Sequence, residues 1–200
     1  LAEVACQSLN LPCPEPDLSE WRSMIQAWKH PKTQVTIALV GKYTQLHDAY
    51  ISVVEACKHA GVANQSDVTI KWIDSETITD ENIDKLLADV SGILVPGGFG
   101  SRGIDGMLLA IQYARENNIP YLGLCLGMQL AIVEFSRNVL GLTDAHSVEL
   151  NPSTPYPVIH LMPDQDKVED IGGTLRLGSY PCSLNPQSKA YALYGQTIIH

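Results

Sequence analysis

An alternation of apolar, strand-like runs with helix-like stretches limits the possible folds of this chain more than any other feature. The runs are VTIALVG from Val35, DVTIKWID from Asp67, GILVPGGFG from Gly92 and IPYLGLC from Ile119. Strands that are apolar throughout, with helices between them, are typical of a parallel sheet covered on both faces. The sequence therefore predicts an α/β fold: an open, mostly parallel sheet with helices on both faces and right-handed crossovers.

Helices are predicted after each of these strands. They run from about Asp48 to Ala60, over DENIDKLLADV, from about Ile104 to Asn117, and over LGMQLAIVEFSRNVLG. Gly61 is expected to end the first helix. Beyond about residue 143 the helical periodicity stops, and YPVIHLM, GTLRLGSYPCSL and YGQTIIH are predicted to be short strands. We expect them to form an antiparallel addition in the C-terminal part.

The first 33 residues differ in composition from the rest. Closely spaced prolines in NLPCPEPDLSEW favour an extended linker, and a short helix follows that Asp17 or Ser19 can cap. Four apolar side chains fall on one face of this helix: Leu18, Trp21, Ile25 and Trp28. Two tryptophans on a linker helix need a surface to cover, so we expect the helix to dock on a domain.

Charge and cysteine usage narrow the functional classes. The net charge is −9, which disfavours nonspecific binding to nucleic acid or to an anionic membrane. No apolar run reaches the roughly 18 residues that a membrane-spanning helix needs. The five cysteines are scattered, without a CxxC pair or a zinc spacing. We therefore expect reduced thiols, no metal site and a cytoplasmic protein.

The glycine-rich exit of the third strand, PGGFGSRG, has two interpretations. Gly98, Gly100 and Gly103 fit the G-x-G-x-x-G spacing of dinucleotide-binding folds. That fingerprint belongs to the first strand–helix unit of such folds, whereas this is the third. The second interpretation is chemical and is favoured here, because glycines let the backbone direct its N–H groups at a developing negative oxygen.

Cys125 lies in GLCLG, where the fourth strand gives way to a helix. A G-x-C-x-G sequence at such a place matches the nucleophile-elbow pattern, with sulfur in place of the serine oxygen. The N-terminus of the helix favours thiolate over thiol. The alternative is a small core residue, as free cysteines commonly are. The PGG turn on the preceding strand can supply oxyanion donors, so the nucleophile is favoured.

A thiolate that attacks a carbonyl normally needs a base that later protonates the leaving group. After Cys125 the histidines are His146, His160 and His200, and none is followed two residues later by Asp or Glu. The sequence therefore contains a candidate nucleophile without a recognisable base.

Two of these stretches, LVPGGFG and GLCLGMQ, resemble the oxyanion strand and nucleophile elbow of class I (triad) glutamine amidotransferase domains. Longer stretches resemble the glutaminase domain of the CTP synthase family, among them IALVGKYTQLHDAYISVVEACKHAG, IKWIDSE and YARENNIPYLGLCLGMQLAIVEFSRNVLG. The resemblance covers nearly all of residues 35–200. It implies that residues 1–33 are the end of a synthase domain and a linker helix, and that residues 34–200 are a glutamine amidotransferase domain truncated at its C-terminus.

The resemblance implies that Cys125 attacks the carboxamide of glutamine, forms a γ-glutamyl thioester and releases ammonia. The backbone N–H groups of Gly98 and Leu126 would stabilise the oxyanion. The substrate-binding residues that it implies are Gly98, Phe99, Leu126, Gln129 and Glu149. Glu149 would pair with the α-ammonium group of glutamine, although without the resemblance it is interpreted as a solvated loop acid. Arg102 would belong to a lid linked to activation by GTP.

Parts of the family pattern are missing from these 200 residues. The family completes its triad with a His and a Glu in an H-x-E arrangement, after an arginine-rich segment that helps bind glutamine, and neither occurs in this sequence. We therefore expect the chain to be a fragment of a longer enzyme, inactive or weakly active by itself.

For the whole enzyme the resemblance implies a ligase that makes CTP from UTP, with glutamine as the ammonia source. It implies ATP and Mg²⁺ in the synthase domain, GTP as an allosteric activator and a homotetramer, with no cofactor in this domain. Two other interpretations stay open. A stand-alone cysteine hydrolase of γ-glutamyl compounds would act without UTP and ATP, and a non-catalytic glutamine-binding module would form no thioester.

Overall fold

The computed structural model describes residues 2–161 and 178–200. The chain divides into two compact units, one that ends at Ile159 and one that spans His160–His200. The helices of the first unit are α1 (Ala2–Ser8), α2 (Ser19–Lys29), α3 (Ile51–Ala63), α4 (Ile83–Leu87), α5 (Ile104–Glu116) and α6 (Leu126–Asn138). Its strands are β1 (Thr33–Gly41), β2 (Ser66–Asp74), β3 (Gly92–Val95), β4 (Tyr121–Gly123), β5 (Ala145–Ser147) and β6 (Tyr156–Ile159). Short 3-10 turns cover His47–Tyr50 and Ser75–Thr77.

Four of these strands form the predicted parallel sheet, in the order β2-β1-β3-β4. β1 pairs with β2 along its whole length, and β3 pairs with both β1 and β4. The chain passes from β1 to β2 on one side and then returns to β3 on the other. The carboxyl ends of β1 and β3 therefore border the switch point at which open α/β sheets bind ligands.

Alternate side chains of β1 face two separate apolar clusters. Ala38 and Val40 belong to the larger cluster, with residues of α4, α5 and α6, whereas Leu39 packs with Tyr50 and with residues of α3. All three strand side chains are fully buried. Helices thus cover both faces of the sheet at its centre, which is why the second half of β1 and the whole of β3 are apolar.

The helix predicted from Asp48 differs from the structure at both ends. The 3-10 turn covers its first residues, and α3 runs through Gly61 instead of ending before it. A Cβ atom at Gly61 would lie 2.6 Å from the carbonyl oxygen of Ser66. The glycine therefore allows close packing against the start of β2 and does not end the helix.

The strands after residue 143 pair in two ways. β6 pairs with β5 in parallel, whereas the sequence predicts antiparallel strands. The pairing is parallel because hydrogen-bonded turns between the two strands bring the chain back in the same direction. In the second unit β7 (Cys182–Ser183) and β8 (Ile198–Ile199) are antiparallel, as predicted. The sequence does not predict helix α7 (Lys189–Tyr194), which lies between them. Residues 173–177 of the predicted strand GTLRLGSYPCSL, and the last residue of YPVIHLM, lie outside the described residues.

The predicted linker helix, α2, lies beside α3. The N-cap residue of the helix is Leu18, which has no side-chain cap hydrogen bond, so the prediction of Asp17 or Ser19 as the cap is wrong. The amide of Ser19 nevertheless donates to Asp17 Oδ1 (2.9 Å). A cavity of about 610 Å³ between the two helices is lined by residues that include Met24, Trp28 and Val62. Trp21 and Trp28 are 63% and 62% exposed, so α3 covers only part of the apolar face.

Candidate active site

The residues that the sequence analysis selected lie at the carboxyl edge of the parallel sheet. Cys125 follows β4, the PGGFG loop follows β3, and Lys42 follows β1 directly. Parallel strands point their carboxyl ends to the same edge, so segments far apart in sequence meet there.

Cys125 occupies a strained turn between β4 and α6. Its φ is 51° and its ψ is −103°, a backbone conformation that residues other than glycine rarely adopt. The residue is exposed. The two flanking glycines allow the turn. A Cβ atom at Gly123 would lie 2.4 Å from the carbonyl carbon of Gly127, and one at Gly127 would lie 2.1 Å from the carbonyl oxygen of Val95. These features match a nucleophile elbow.

The PGG turn lies beside this elbow. A Cβ atom at Gly97 would lie 3.5 Å from Cys125 Cβ, and one at Gly98 would lie 3.5 Å from Leu126 Cδ2. The N–H of Leu126 is among the first N–H groups of α6, which have no carbonyl partner inside the helix. The structure thus brings Cys125, Gly98 and Leu126 together, and the use of the two amides as oxyanion donors stays a prediction.

Lys42 lies beneath the PGGFG loop and is only 3% exposed. Its Nζ donates to the carbonyl oxygen of Phe99 at 2.9 Å and also to that of Gly100. Burial, and then the nearby charge of Arg102, lowers the pKa of Lys42, whereas the charge of Glu149 acts in the opposite direction. The sequence analysis did not select this lysine. Its signal is a cationic residue directly after a buried strand, at the edge where ligands bind.

Arg102 connects the loop to the ends of β1 and β2. It forms an ion pair with Glu76, donates from Nη2 to the carbonyl oxygen of Lys42 (3.2 Å), and lies 5.7 Å from the ring centroid of Tyr43. The amides of Lys42 and Tyr43 both donate to the hydroxyl of Tyr50. Burial raises the pKa of that hydroxyl.

The other predicted substrate-binding residues are less enclosed. Phe99 is 58% exposed, Gln129 is half-buried in the first turn of α6, and Glu149 is exposed after β5. The amide of Glu149 donates to Ser147 Oγ (3.3 Å), which fixes the backbone of this loop. Substrate binding by these three residues stays a prediction.

Comparison with known proteins places the arrangement in a family. Residues 45–198 match the family described as "Glutamine amidotransferase class-I". The chain belongs to the class-I glutamine amidotransferases.

Several relatives of this amidotransferase chain are named CTP synthase. Those of Carboxydothermus hydrogenoformans and Halalkalibacterium halodurans are each 56% identical over all 200 residues. The chain spans 37% and 38% of their lengths. A solved structure described as the glutaminase domain of Trypanosoma brucei CTPS with bound acivicin matches with a TM-score of 0.69 and 38% identity. That match covers 82% of this chain and 64% of the other.

The described part of the amidotransferase unit before Ile159 has one histidine after Cys125, His146. Its Nδ1 accepts from the amide of Ser147 (2.9 Å), and burial lowers its pKa, helped by the charge of Arg137. Among the described residues no group of three or more His, Cys, Asp or Glu side chains is placed to hold a metal ion. None of the helices found there is long and apolar enough to cross a membrane.

Proposed function

We propose that this chain is the glutaminase part of a CTP synthase, which hydrolyses glutamine and delivers ammonia for the ATP-dependent amination of UTP to CTP. The observation that carries the glutaminase step is the position of Cys125, exposed on a strained elbow beside Gly98 and the first amide of α6. The assignment to CTP synthesis is supported by relatives of that name, 56% identical over the whole chain.

The thiolate of Cys125 attacks the carboxamide carbon of glutamine and forms a C–S bond, while the carbonyl electrons move onto the oxygen. The amides of Gly98 and Leu126 donate hydrogen bonds to that oxyanion. The intermediate collapses, the C–N bond breaks, and the nitrogen takes a proton and leaves as ammonia. Water then hydrolyses the thioester to glutamate and restores the thiol.

Glutamine would be held by residues around the elbow. Gln129, one turn after the nucleophile, and Phe99 in the loop would contact the substrate. Glu149 would pair with its α-ammonium group, because a cation removed from water needs a charged partner. Arg102 would belong to the lid through which GTP activates hydrolysis. Its ion pair with Glu76 supports a role in fixing the position of this segment.

Other parts of the protein would carry out the remaining steps of the reaction. A synthase domain of the same protein would bind UTP, ATP and Mg²⁺, and the protein would be a cytoplasmic homotetramer. A His–Glu pair from the rest of the protein would orient and protonate the leaving group. No step on the amidotransferase residues of this chain requires a bound cofactor.

The test uses the full-length protein with Cys125→Ala, and with Cys182→Ala as the control, since Cys182 is also exposed. Cys125→Ala should abolish CTP formation from glutamine and leave CTP formation from ammonium chloride unchanged. The control variant should keep both activities. Acivicin should label Cys125 in the unsubstituted protein, and glutamine should slow that labelling.

Other outcomes separate the alternatives. If the protein hydrolyses glutamine at the same rate with and without UTP and ATP, and forms no CTP, it is a stand-alone hydrolase. Glutamine binding without labelling of Cys125 would indicate a binding module. Retention of glutamine-dependent activity in Cys125→Ala would reject the proposed nucleophile.

A further inference from the structure

The second half of the PGGFG loop, Phe99 and Gly100, has few side-chain contacts that could fix its backbone. The side chain of Phe99 is mostly exposed, and no atom of the described residues lies within 4 Å of the position that a Cβ atom would take at Gly100. Gly100 also has a φ of 75°, and glycine restricts backbone conformation least of all residues. A loop of this kind needs an external anchor if one of its amides is to hold a fixed position.

Lys42 supplies such an anchor from beneath. Its Nζ donates to the carbonyl oxygens of both Phe99 and Gly100, and its Cδ and Cε atoms lie 3.8 Å from the position that a Cβ atom would take at Gly98. The backbone amide of Lys42 is itself held by the hydroxyl of Tyr50, a buried residue (3.2 Å). The anchor is therefore part of the rigid sheet edge and is not a mobile surface lysine.

We propose that Lys42 is a positioning residue for the oxyanion site: it holds the loop so that the amide of Gly98 points at the carbonyl oxygen of glutamine. This inference rests on the proposed glutaminase function. Since the oxyanion exists only in the transition state, a displaced donor should lower kcat and leave ground-state binding of glutamine almost unchanged.

The test compares Lys42→Met, which keeps the methylene groups but removes the donor, with Lys42→Arg, which keeps a donor. Lys71→Met is the control, because Lys71 is a partly exposed lysine on β2 that pairs with Asp89. In the full-length protein we measure kcat for glutamine hydrolysis, with and without GTP. Iodoacetamide alkylates Cys125 and releases iodide, and the rate of this reaction measures the reactivity of the thiolate. The glutamine concentration that protects Cys125 from alkylation gives the Kd for glutamine.

For Lys42→Met we expect kcat to fall about 10- to 100-fold, because a catalytic donor displaced by about 1 Å costs on that order. The alkylation rate and the Kd for glutamine should stay within about twofold of the values for the unsubstituted protein. The Tm should stay within a few degrees of its value. Lys42→Arg should recover part of kcat, and Lys71→Met should match the unsubstituted protein.

Three results would overturn the proposal. The first is a kcat for Lys42→Met within twofold of the unsubstituted protein. The second is a parallel loss of alkylation, glutamine binding and Tm, which would mean that Lys42 only supports the fold. The third is a defect seen only with GTP, which would mean that Lys42 acts through the activator. Failure of the glutaminase function itself would be distinguishable, because the unsubstituted protein would then hydrolyse no glutamine, or Cys125→Ala would hydrolyse it equally fast.

Discussion

At the scale of single residues, the close packing of glycines around the elbow determines where Cys125 lies. Gly127 contacts the carbonyl group of Val95 so closely that any side chain would displace α6 from β3. The position of Cys125 thus depends on the absence of a methyl group two residues away.

Gly127→Ala should therefore lower the stability of the domain by about 1–3 kcal/mol, the usual cost of overpacking, and lower kcat for glutamine hydrolysis at least tenfold. The adjacent Met128→Ala is the control, because Met128 is 54% exposed and should change stability by less than about 0.5 kcal/mol. Thermal unfolding and steady-state kinetics measure the two effects. Normal values for Gly127→Ala would contradict the close approach of α6 to β3.

The two halves of this site differ in how far the sequence predicts them. The elbow is a local pattern, so GLCLG predicts both the turn at Cys125 and its exposure. Lys42 acts through hydrogen bonds to residues that are 57 and 58 positions away, and no local pattern encodes such a contact. Only the pairing of β1 with β3 brings the lysine under the loop.

At the scale of elements, a buried ion pair joins α5 to α6. Glu134 is 2% exposed, and Arg115 donates to both of its carboxylate oxygens, with Nε–O distances of 3.0 and 3.1 Å. Asn138 donates to the same carboxylate (3.0 Å). The Arg115 side chain is 32% exposed, whereas that of Glu134 is 2% exposed. If the ion pair is broken, water can therefore hydrate Arg115 but not Glu134.

Arg115→Met should therefore destabilise the domain by about 2 kcal/mol, because it leaves a buried carboxylate with only Asn138 as donor. Glu134→Gln should cost less, since the amide still accepts a hydrogen bond and Arg115 reaches solvent. Urea unfolding of the two variants, compared under identical conditions, gives the difference. An equal or larger cost for Glu134→Gln would reject this explanation.

The order of helices and strands in the parallel sheet was predictable because burial on both faces makes its central strands, β1 and β3, apolar. The pairing of β6 with β5 and the helix α7 were not predictable, because segments this short carry little periodicity. Gly61 shows the same limit: a glycine that ends a helix and one that allows close packing look alike in sequence.

At the scale of the whole molecule, the exposed tryptophans of α2 indicate that this helix has a surface still to cover. α3 leaves Trp21 and Trp28 more than half exposed. If the chain joins a synthase domain as proposed, α2 is placed to help fix the geometry between the ammonia source and its acceptor.

The double variant Trp21→Ala/Trp28→Ala should then form less CTP for each glutamine hydrolysed, because ammonia is lost before it reaches UTP. Replacement of Gln26, an exposed polar residue of the same helix, by alanine is the control. Glutamate and CTP are measured in the same reaction. An unchanged ratio of CTP to glutamate would show that the tryptophans have no part in coupling.

The residues of the site are far apart in sequence, and this separation determines when the site can form during folding. Lys42, the PGGFG loop and Cys125 meet only after β1, β3 and β4 have paired in parallel, and parallel pairing across long connections is a slow step in folding. During synthesis, a chain that has not yet emerged beyond α6 has not formed the elbow that holds Cys125. If the chain is a glutaminase as proposed, hydrolysis of glutamine therefore cannot begin on a half-made chain, and the fold delays the chemistry until the sheet is complete.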